Sequence, residues 1–175
     1  MRPLQAAEMG RHSPESFAQA TKHPLILVLH NLRSMHNVGS LFRTADGFGI
    51  EGLHLCGFTP RPPHRDIHKT ALGATETVAW QGFERIEDSL ALLRQQGYAL
   101  YAAEQTTHSL LLPAFAPPAS GMALVLGNEV EGVPESLLAL MDGALEIPQF
   151  GTKHSLNVSV AAGIFCYALT AGSGR

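Results

Sequence analysis

The sequence predicts an α/β domain built on a mostly parallel sheet with helices on both of its faces. Segments typical of strands alternate along the chain with segments of helical period, which is the pattern of such domains. Two apolar runs, residues 25–29 and 122–126, are unbroken, as expected of central strands that are buried on both faces. The length of 175 residues is that of one domain with a substantial core.

The composition is that of a folded protein. Hydrophobic residues make up 45% of the chain and charged residues 15%, a balance that excludes general disorder. No apolar run reaches the roughly 18 residues that a membrane span needs, and the first residues lack the pattern of a signal peptide. The two cysteines, Cys56 and Cys166, have neither disulfide-framework nor zinc-site spacing. We therefore expect a cytoplasmic protein without a membrane segment.

The net charge of −3 conceals an asymmetry between the two parts of the chain. Residues 1–70 contain 8 of the 12 Lys and Arg residues and only 5 acids, whereas residues 71–175 contain 4 bases and 10 acids. An asymmetry of this size is also common in proteins that bind no nucleic acid. If the protein binds nucleic acid, residues 1–70 are where the contacts are expected.

The first half of the chain begins with an arm over residues 1–23, which we expect to lie outside the core. The domain itself is predicted over 24–175. The arm contains a loosely helical stretch near 14–20, and after it come a strand over 25–29, a helix over 37–49, a strand over 51–58, a basic loop over 59–69 and a short strand near 77–80. Asn37 suits the N-cap of the helix and Gly49 its C′ position.

The second half continues the alternation. Its predicted elements are a helix over 83–96, a strand over 98–103, a proline-rich connection over 113–120, a strand over 122–126, a helix over 134–141, a strand over 144–147 and an apolar helix after Ser155. The helix over 83–96 has acids in its first turn, Arg94 in its last and Gly97 after its end. The final helix is apolar on nearly every face, which is unusual for a helix that faces solvent.

Arg43 is the first candidate functional side chain. At 100° per residue it points away from the apolar stripe of the helix over 37–49, and Gly39 and Gly47 lie one turn to either side of it. Each glycine costs about 1 kcal/mol relative to alanine inside a helix. Close approach by another backbone or by a ligand explains them, and the alternative is a solvent-facing arginine beside incidental glycines.

The loop over 59–69 carries three cations, Arg61, Arg65 and Lys69, whose charges favour contact with phosphates. The alternative is a merely solvated loop. His64 and His68 have the i, i+4 spacing of a metal pair, but that spacing works only on a helix and no third ligand is evident. We therefore predict no metal site.

The stretch from Ile147 to Ile164 joins a loop rich in Pro and Gly to the apolar final helix. Ser155 lies where an N-cap is expected, and Asn157 then enters a helix that otherwise favours burial. A buried amide without partners costs about 1–3 kcal/mol. Asn157 therefore needs either a structural hydrogen bond or a ligand.

Three segments, 30–43, 127–132 and 147–157, leave the carboxyl ends of predicted strands, where α/β sheets bind ligands. They would bring together five polar side chains and glycine-rich backbone: Asn37, Arg43, Glu129, Ser155 and Asn157. This set contains no nucleophile with an adjacent base, and the chain has neither a G-x-G-x-x-G fingerprint nor a P-loop. It suits the orientation of a phosphate-bearing substrate beside a small cofactor.

Residues 37–44 (NVGSLFRT), 126–132 (LGNEVEG) and 147–159 (IPQFGTKHSLNVS) match, in order and spacing, the three motifs of one family. Over residues 24–170 the chain resembles the SpoU/TrmH branch of the SPOUT methyltransferases. The resemblance implies transfer of a methyl group from S-adenosylmethionine to a ribose 2′-hydroxyl of tRNA or rRNA. It also implies a C-terminal trefoil knot and a homodimer whose sites are completed across the interface, for which the final helix is the candidate surface.

The same resemblance implies a role for each matching residue. Gly127, Ile147 and Leu156 correspond to the cofactor-binding positions, and Arg43 corresponds to the catalytic arginine. The remaining polar members of the catalytic set are Asn37, Glu129, Ser155 and Asn157. Because an arginine is a poor free base, we expect Arg43 to bind a phosphate and to stabilise the developing alkoxide.

Many members of this family carry an RNA-binding domain before the knot, where this chain has about 23 residues. We therefore expect RNA recognition from the arm, the loop over 59–69 and the dimer surface. One alternative is a non-catalytic RNA-binding relative, which retention of Arg43, Glu129, Ser155 and Asn157 disfavours. A nucleotide-dependent oxidoreductase is a second alternative, which the missing fingerprint disfavours.

Overall fold

The computed structural model describes residues 1–171 and contains one seven-stranded sheet in which all neighbouring strands are parallel. The strands of the described residues are β1 (His23–His30), β2 (Ile50–Cys56), β3 (Trp80–Phe83), β4 (Ala99–Ala103), β5 (Leu110–Leu111), β6 (Met122–Leu126) and β7 (Gly143–Glu146). Their order across the sheet is β3-β2-β1-β6-β4-β7-β5. The predicted mostly parallel α/β sheet is therefore confirmed.

The described α-helices are α1 (Pro14–Gln19), α2 (Met35–Phe48), α3 (Arg65–Ala71), α4 (Ala74–Thr77), α5 (Ile86–Gln95), α6 (Glu135–Leu138) and α7 (Val158–Thr170). Short 3-10 turns cover Ala6–Met9 and Leu112–Ala114. None of the helices within residues 1–171 has the length and apolar character required to cross a bilayer.

Strand β1 explains why helices cover both faces of the sheet. Side chains alternate along a strand, and Leu25, Leu27 and Leu29 enter a core formed with α2, α3 and α7. Ile26 and Val28 enter a second core on the other face, formed with α5 and α6. An unbroken apolar run is what a strand buried on both faces requires.

The helix α2 packs closely against α3 at Gly39. A Cβ at Gly39 would lie 2.1 Å from Thr70 Oγ1 and 2.3 Å from the carbonyl oxygen of Ile67. The predicted close approach of another backbone is therefore confirmed there. Gly47 differs, since a Cβ at that position would meet no atom within 4 Å.

Parallel strands bring their carboxyl ends to one edge of the sheet. The loops that follow β1, β6 and β7 therefore meet at this edge, as the sequence predicts, together with the loop that follows β4. Glu104 Oε2, in the loop after β4, accepts a hydrogen bond of 2.9 Å from the backbone N–H of Val133, which ends the loop after β6. We call this side of the molecule the carboxyl edge.

Two helix starts differ from the prediction. Ser34 is the N-cap of α2 and accepts a 3.2 Å hydrogen bond from the backbone N–H of Asn37, which was the predicted cap. Asn157 is the N-cap of α7, where Ser155 was predicted. In both cases two cap-forming residues lie close together in the sequence, and tertiary contacts select between them.

Two further segments also differ from the prediction. The helix α3 begins at Arg65, inside the predicted loop over 59–69, and the His64 side chain caps it. Within the arm over 1–23, α1 confirms the predicted helical stretch, but Phe17 is buried rather than outside the core. Lys22 Nζ lies 3.0 Å from the centroid of the Phe17 ring and helps to dock the arm.

Candidate active site

Glu129 connects two of the loops at the carboxyl edge. Its Oε2 accepts a 3.2 Å hydrogen bond from the backbone N–H of Arg33, and Oε1 accepts one of 3.4 Å from the N–H of Ser34. Oε1 also accepts a 3.0 Å hydrogen bond from Nδ2 of Asn37. The carboxylate in the loop after β6 therefore fixes both the loop after β1 and the first turn of α2.

These donors keep Glu129 ionised. Partial burial acts to raise the pKa of its carboxyl group, but the hydrogen bonds from backbone amides and from Asn37 together outweigh that effect. The pKa of Glu129 is consequently lower than its usual value. At neutral pH the group is an acceptor with a fixed orientation, and its role in the site is to hold the donors in place.

Asn157 extends this network to α7. Its Oδ1 accepts hydrogen bonds from the backbone N–H of Ser159 at 2.9 Å and from the Ser159 hydroxyl at 2.6 Å. Its Nδ2 donates a 3.2 Å hydrogen bond to Oδ1 of Asn37. Asn37 thus accepts from Asn157 and donates to Glu129, so the three side chains form one chain. We call Asn37, Glu129 and Asn157 the amide–carboxylate cluster.

The sequence left open whether Asn157 has a structural hydrogen bond or needs a ligand, and the cluster supplies the hydrogen bond. The side chain is exposed instead of buried, and its oxygen caps α7 while its nitrogen joins Asn37. A structural partner therefore exists. Because each of its members comes from a different one of the three sequence motifs, the cluster also connects all three motifs.

The loop of residues 147–157 lies largely in solvent. Phe150 is 97% exposed and Leu156 39%, whereas Ile147 is partly buried against the core. Ser155 is exposed, and within residues 1–171 no hydrogen bond to its hydroxyl is found. Nε2 of Gln105 donates a 3.0 Å hydrogen bond to the carbonyl oxygen of His154, which anchors this loop to the loop after β4.

The loop of residues 127–133 is folded tightly on itself at Gly127. A Cβ on Gly127 would lie 2.0 Å from the carbonyl carbon of Gly132, so no larger residue fits. Oδ1 of the buried Asn128 accepts hydrogen bonds from the N–H groups of Val130, at 2.8 Å, and Glu131, at 2.7 Å. The sequence reasoning missed Asn128, although an Asn beside glycines in a loop is a known signal for such a turn.

Arg43 lies on the face of α2 that points away from the core, as predicted, and is exposed. It lines a groove of about 570 Å³ together with Arg11, Ser40, Thr44, Gly47, Phe48, Lys69 and Thr70. We call this the arginine groove. Within residues 1–171 the guanidinium of Arg43 has no hydrogen bond or ion pair, and it does not contact the amide–carboxylate cluster through either. Arg11 is a groove residue that the sequence reasoning missed, because the arm showed no periodic pattern.

The three predicted RNA-binding cations have different surroundings. Arg61 donates to the Glu84 carboxylate at 3.0 Å and to the carbonyl oxygen of Phe83 at 2.9 Å, so it braces β3. Lys69 pairs with Asp66 at 2.6 Å on the exposed face of α3. Arg65 is exposed at the start of the same helix. Of the three, Lys69 lines the arginine groove.

Metal chemistry has no evident ligand set in the part of the chain that the structure describes. No group of three or more His, Cys, Asp or Glu side chains is arranged there to hold a metal ion. His64, one member of the histidine pair considered above, instead accepts a 3.2 Å hydrogen bond from the N–H of Asp66 and caps α3.

Comparison with known proteins identifies one family. Residues 24–167 match the model of the SpoU rRNA Methylase family. The chain is 29% identical over 161 residues to the 23S rRNA (guanosine-2'-O-)-methyltransferase RlmB of Neisseria meningitidis, covering 92% of this chain and 64% of that protein. It is 28% identical over 162 residues to the tRNA (guanosine(18)-2'-O)-methyltransferase of Thermus thermophilus, covering 91% of this chain and 81% of that protein.

Solved structures show the same likeness. The AdoMet-bound rRNA methyltransferase from Sinorhizobium meliloti has a TM-score of 0.77 and 26% identity, covering 90% of this chain and 60% of that one. The chain spans less than two-thirds of the length of the Neisseria relative, at 64%. The family model nevertheless covers most of the sequence and all three motifs of the amide–carboxylate cluster. The chain therefore belongs to the SpoU rRNA Methylase family.

Proposed function

We propose that the protein transfers a methyl group from S-adenosylmethionine to a ribose 2′-hydroxyl of structured RNA, either tRNA or rRNA. The observation that carries the proposal is the amide–carboxylate cluster, which joins the three family motifs at the carboxyl edge. Asn37 lies at its centre, with a 3.0 Å bond to Glu129 and a 3.2 Å bond to Asn157. The RNA specificities of the Neisseria and Thermus relatives support RNA as the substrate class.

The loops 127–133 and 147–157 are the proposed cofactor site, with Gly127, Ile147 and Leu156 as its members. Two features fit an adenosyl group: backbone amides in tightly turned loops, and apolar side chains such as Leu156 and Phe150 that are left uncovered beside them. The bound cofactor would supply an electrophilic methyl group. The protein residues would align the acceptor hydroxyl with that methyl group, because in-line displacement gains most from alignment.

Arg43 is proposed to act on the RNA and not on the cofactor. Its planar guanidinium suits bidentate contact with a phosphate. Within the arginine groove Arg11 extends the positive charge, and Lys69, which pairs with Asp66, also lines the groove. We propose that Arg43 holds the phosphate next to the target ribose and stabilises charge on the 2′-oxygen as its proton leaves. Arg65 and Arg61 are proposed as more peripheral RNA contacts.

A homodimer is proposed as the working unit. Val160, Ile164 and Tyr167 follow the i, i+4, i+7 pattern along α7, and all three side chains are exposed. A second copy would cover this apolar stripe and could bring Arg43 of one protomer to the cofactor loops of its partner. Tyr167→Asp should then yield monomers in sedimentation experiments at concentrations where the wild type is dimeric. A wild-type protein that sediments as a monomer would contradict the dimer.

The proposal also covers the domain organisation, the metal requirement and the cellular location of the protein. We propose that residues 1–23 act as an arm and residues 24–175 as the methyltransferase domain, with a C-terminal trefoil knot, no metal requirement and a cytoplasmic location. The last part of the predicted domain, residues 172–175, lies outside the described residues. The docking of Phe17 against the core supports an arm that is positioned beside the arginine groove.

The proposal is tested by mapping 2′-O-methylation across total RNA from cells with and without the protein, and by label transfer from S-adenosylmethionine to that RNA in vitro. We expect loss of a discrete set of tRNA or rRNA modifications and their restoration by the purified protein. Unchanged 2′-O-methylation profiles of tRNA and rRNA would overturn the proposed methyltransferase activity. Cofactor binding by calorimetry without any methyl transfer would instead favour a non-catalytic RNA-binding relative.

A further inference from the structure

Phe58 is a large aromatic side chain displayed on a rigid turn. It lies two residues after β2, at the carboxyl edge, and is 59% exposed. Within residues 1–171 its ring makes no aromatic contact of the kind found between Phe42 and Trp80. Burial of a phenylalanine side chain is worth about 1.5–3 kcal/mol, so exposure forgoes a substantial gain.

The exposure does not result from a loose loop. The backbone N–H of Phe58 donates a 3.2 Å hydrogen bond to Oδ1 of Asn31, and the N–H of Gly57 donates one of 3.0 Å to the carbonyl oxygen of Phe83. The next residue, Thr59, is only 3% exposed, and its hydroxyl donates to the carbonyl oxygen of Leu29 at 2.9 Å. The turn is therefore fixed on both sides of the aromatic ring.

Backbone strain is present where this turn meets the loop after β1. Asn31 has φ of 55° and Gly57 has φ of 64°, both in the left-handed region. A Cβ on Gly57 would lie 2.0 Å from Asn31 Oδ1, the same atom that accepts from Phe58. Left-handed backbone is unfavourable for a residue with a side chain and persists where surrounding contacts impose it.

The turn is also connected to the candidate active site. The backbone N–H of Leu32 donates a 3.1 Å hydrogen bond to the Thr59 hydroxyl, and Leu32 is fully buried. The next residue, Arg33, donates its N–H to Glu129 at 3.2 Å. Two residues of backbone thus connect the Phe58 turn to the amide–carboxylate cluster, so the position of Phe58 is set relative to that cluster.

The charges around Phe58 favour one kind of occupant. Arg33 is exposed in the loop after β1, whose Asn31 bonds to Phe58, while Arg61 lies three residues after Phe58 and the exposed Arg65 begins α3. The acids on the adjoining segments have partners: Glu84 pairs with Arg61, Asp66 with Lys69 and Glu87 with Arg85, and Glu129 accepts from the backbone N–H of Arg33. An uncovered aromatic ring among cations suits a nucleobase with its phosphates, since every base offers a face for stacking.

We propose that Phe58 is a stacking platform for an unpaired base of the RNA substrate. The inference rests on the proposed function and adds to it a recognition residue outside the three motifs. It assigns the substrate a looped or single-stranded segment beside the methylated nucleotide, because a base within a duplex has no free face.

The first experiment measures RNA affinity of Phe58→Ala, Phe58→Trp and the wild type, with bulk tRNA and fragmented 23S rRNA as probes. Phe58→Ala should bind the better of the two probes about 5- to 150-fold more weakly, the range for loss of one base stack. Phe58→Trp should stay within about threefold of the wild type. Cofactor affinity by calorimetry and the thermal midpoint should be unchanged in both variants.

The matched control is Leu140→Ala. Leu140 is 45% exposed and lies between α6 and β7, at the amino end of the sheet. Its loss removes exposed apolar surface far from the platform and should leave RNA affinity within about twofold. Equal affinity of Phe58→Ala and the wild type overturns the platform, as does equal weakening by Leu140→Ala, even when methyl transfer is intact.

A second experiment detects the stack directly. RNA substituted with 5-iodouridine is irradiated in complex with the wild type, and cross-linked peptides are identified by mass spectrometry. We expect cross-links on the peptide that contains Phe58. Cross-links confined to other peptides overturn the platform. Absence of methyl transfer by the wild type defeats the proposed function separately, and absence of any RNA binding defeats both.

Discussion

The amide–carboxylate cluster and the arginine groove satisfy their polar groups in different ways. In the cluster, Asn37 bonds to both Glu129 and Asn157, so its members are partnered with one another. In the groove, no partner of the Arg43 guanidinium is found within the described residues, and Arg11 lies beside it. Hydrogen bonds among its own members hold the cluster in one geometry before a ligand binds. Cations without a protein partner can instead bind an anionic ligand.

The helix α2 connects these two regions and keeps them apart. Asn37 lies in its first turn and Arg43 six residues later, which places them about 120° apart around the helix and about 9 Å apart along it. Within residues 1–171 no hydrogen bond or ion pair joins Arg43 to the loops of the proposed cofactor site, and the residues that line the groove with it belong to the arm, α2 and α3. We infer that the cluster fixes the geometry of the loops and that the groove binds the phosphates of the substrate.

The largest expected effect comes from Arg43→Ala. Loss of a group that stabilises transition-state charge typically lowers turnover about 10²- to 10³-fold. We expect a reduction of at least that size in methyl transfer, with S-adenosylmethionine affinity unchanged by calorimetry, because the cluster and the cofactor loops stay intact. Loss of cofactor binding in this variant would contradict the proposal that Arg43 acts on the RNA and not on the cofactor.

Asn157→Ala provides the matched variant in the cluster. It removes the α7 cap and the bond to Asn37. We expect this loss to lower methyl transfer as well. A mixture of Arg43→Ala and Asn157→Ala protomers should then regain activity if each site takes Arg43 from the partner. Continued inactivity of a verified heterodimer would count against sites shared between protomers.

The next prediction compares two glycines of α2. Gly39→Ala should lower the free energy of unfolding by about 1–3 kcal/mol, because the added Cβ meets Thr70 Oγ1 and the Ile67 carbonyl oxygen. Gly47→Ala, in open space within the groove, should raise it by up to about 1 kcal/mol. Urea denaturation distinguishes the two variants. A destabilised Gly47→Ala protein would contradict the open groove.

Much of the fold could be predicted from the sequence because strands buried on both faces have an unmistakable pattern. The predicted strand over 122–126 coincides with β6, and β1 exceeds its prediction by only a few residues. The strand β5 was missed because two exposed leucines, Leu110 and Leu111, carry no period. The start of α3 was missed because a histidine side chain, an uncommon cap, begins it after two prolines.

The candidate site was predictable as a meeting of loops, but not in its internal contacts. Parallel strands require the loops after β1, β6 and β7 to share one edge. The bond between Asn157 and Asn37 joins residues 120 positions apart, and no local pattern specifies such a contact. The angular separation of Asn37 and Arg43 was, by contrast, implicit in their spacing. The predicted roles of Ser155, Leu156 and Ile147 remain predictions.

Glu129→Gln is expected to have an intermediate effect, because it weakens the cluster without altering its size. Glutamine offers one acceptor oxygen where the carboxylate serves three donors, from Arg33, Ser34 and Asn37. Small misplacement of the loop after β1 should reduce methyl transfer about 10- to 100-fold. Steady-state kinetics at pH 7 measure it, and an unchanged rate would show that the cluster is not needed for alignment.

The same variant tests the pH dependence of stability. The folded-state pKa of Glu129 is lowered, so its stabilisation is present above the unfolded value of about 4.3 and is lost as pH falls through the folded value. The stability difference between wild type and Glu129→Gln should therefore be constant from pH 6 to 7 and shrink below about pH 4. A difference that stays the same at acid pH would contradict the ionised role of Glu129.

The smallest effect on methyl transfer is expected away from both regions, at His54, which lies on the face of the sheet opposite α2. His54 is buried and its Nδ1 lies 2.7 Å from the Ser89 hydroxyl, and burial lowers its pKa to about 4. Between the unfolded value of about 6.5 and pH 4, the unfolded chain takes up a proton that the folded protein excludes. Stability should therefore fall as pH decreases through this window, by up to about tenfold in the unfolding constant per pH unit.

His54→Gln removes this titration, so the stability gap between variant and wild type should close or reverse from pH 7 to pH 5. His30, whose pKa burial also lowers, is present in both proteins and cancels in the comparison. Urea midpoints at pH 7, 6 and 5 provide the measurement. Because this window lies above that of Glu129, the two variants separate acid sensitivity of the core from acid sensitivity of the cluster. If the urea midpoints of His54→Gln and the wild type fall in parallel from pH 7 to pH 5, His54 is not the cause of the lost stability.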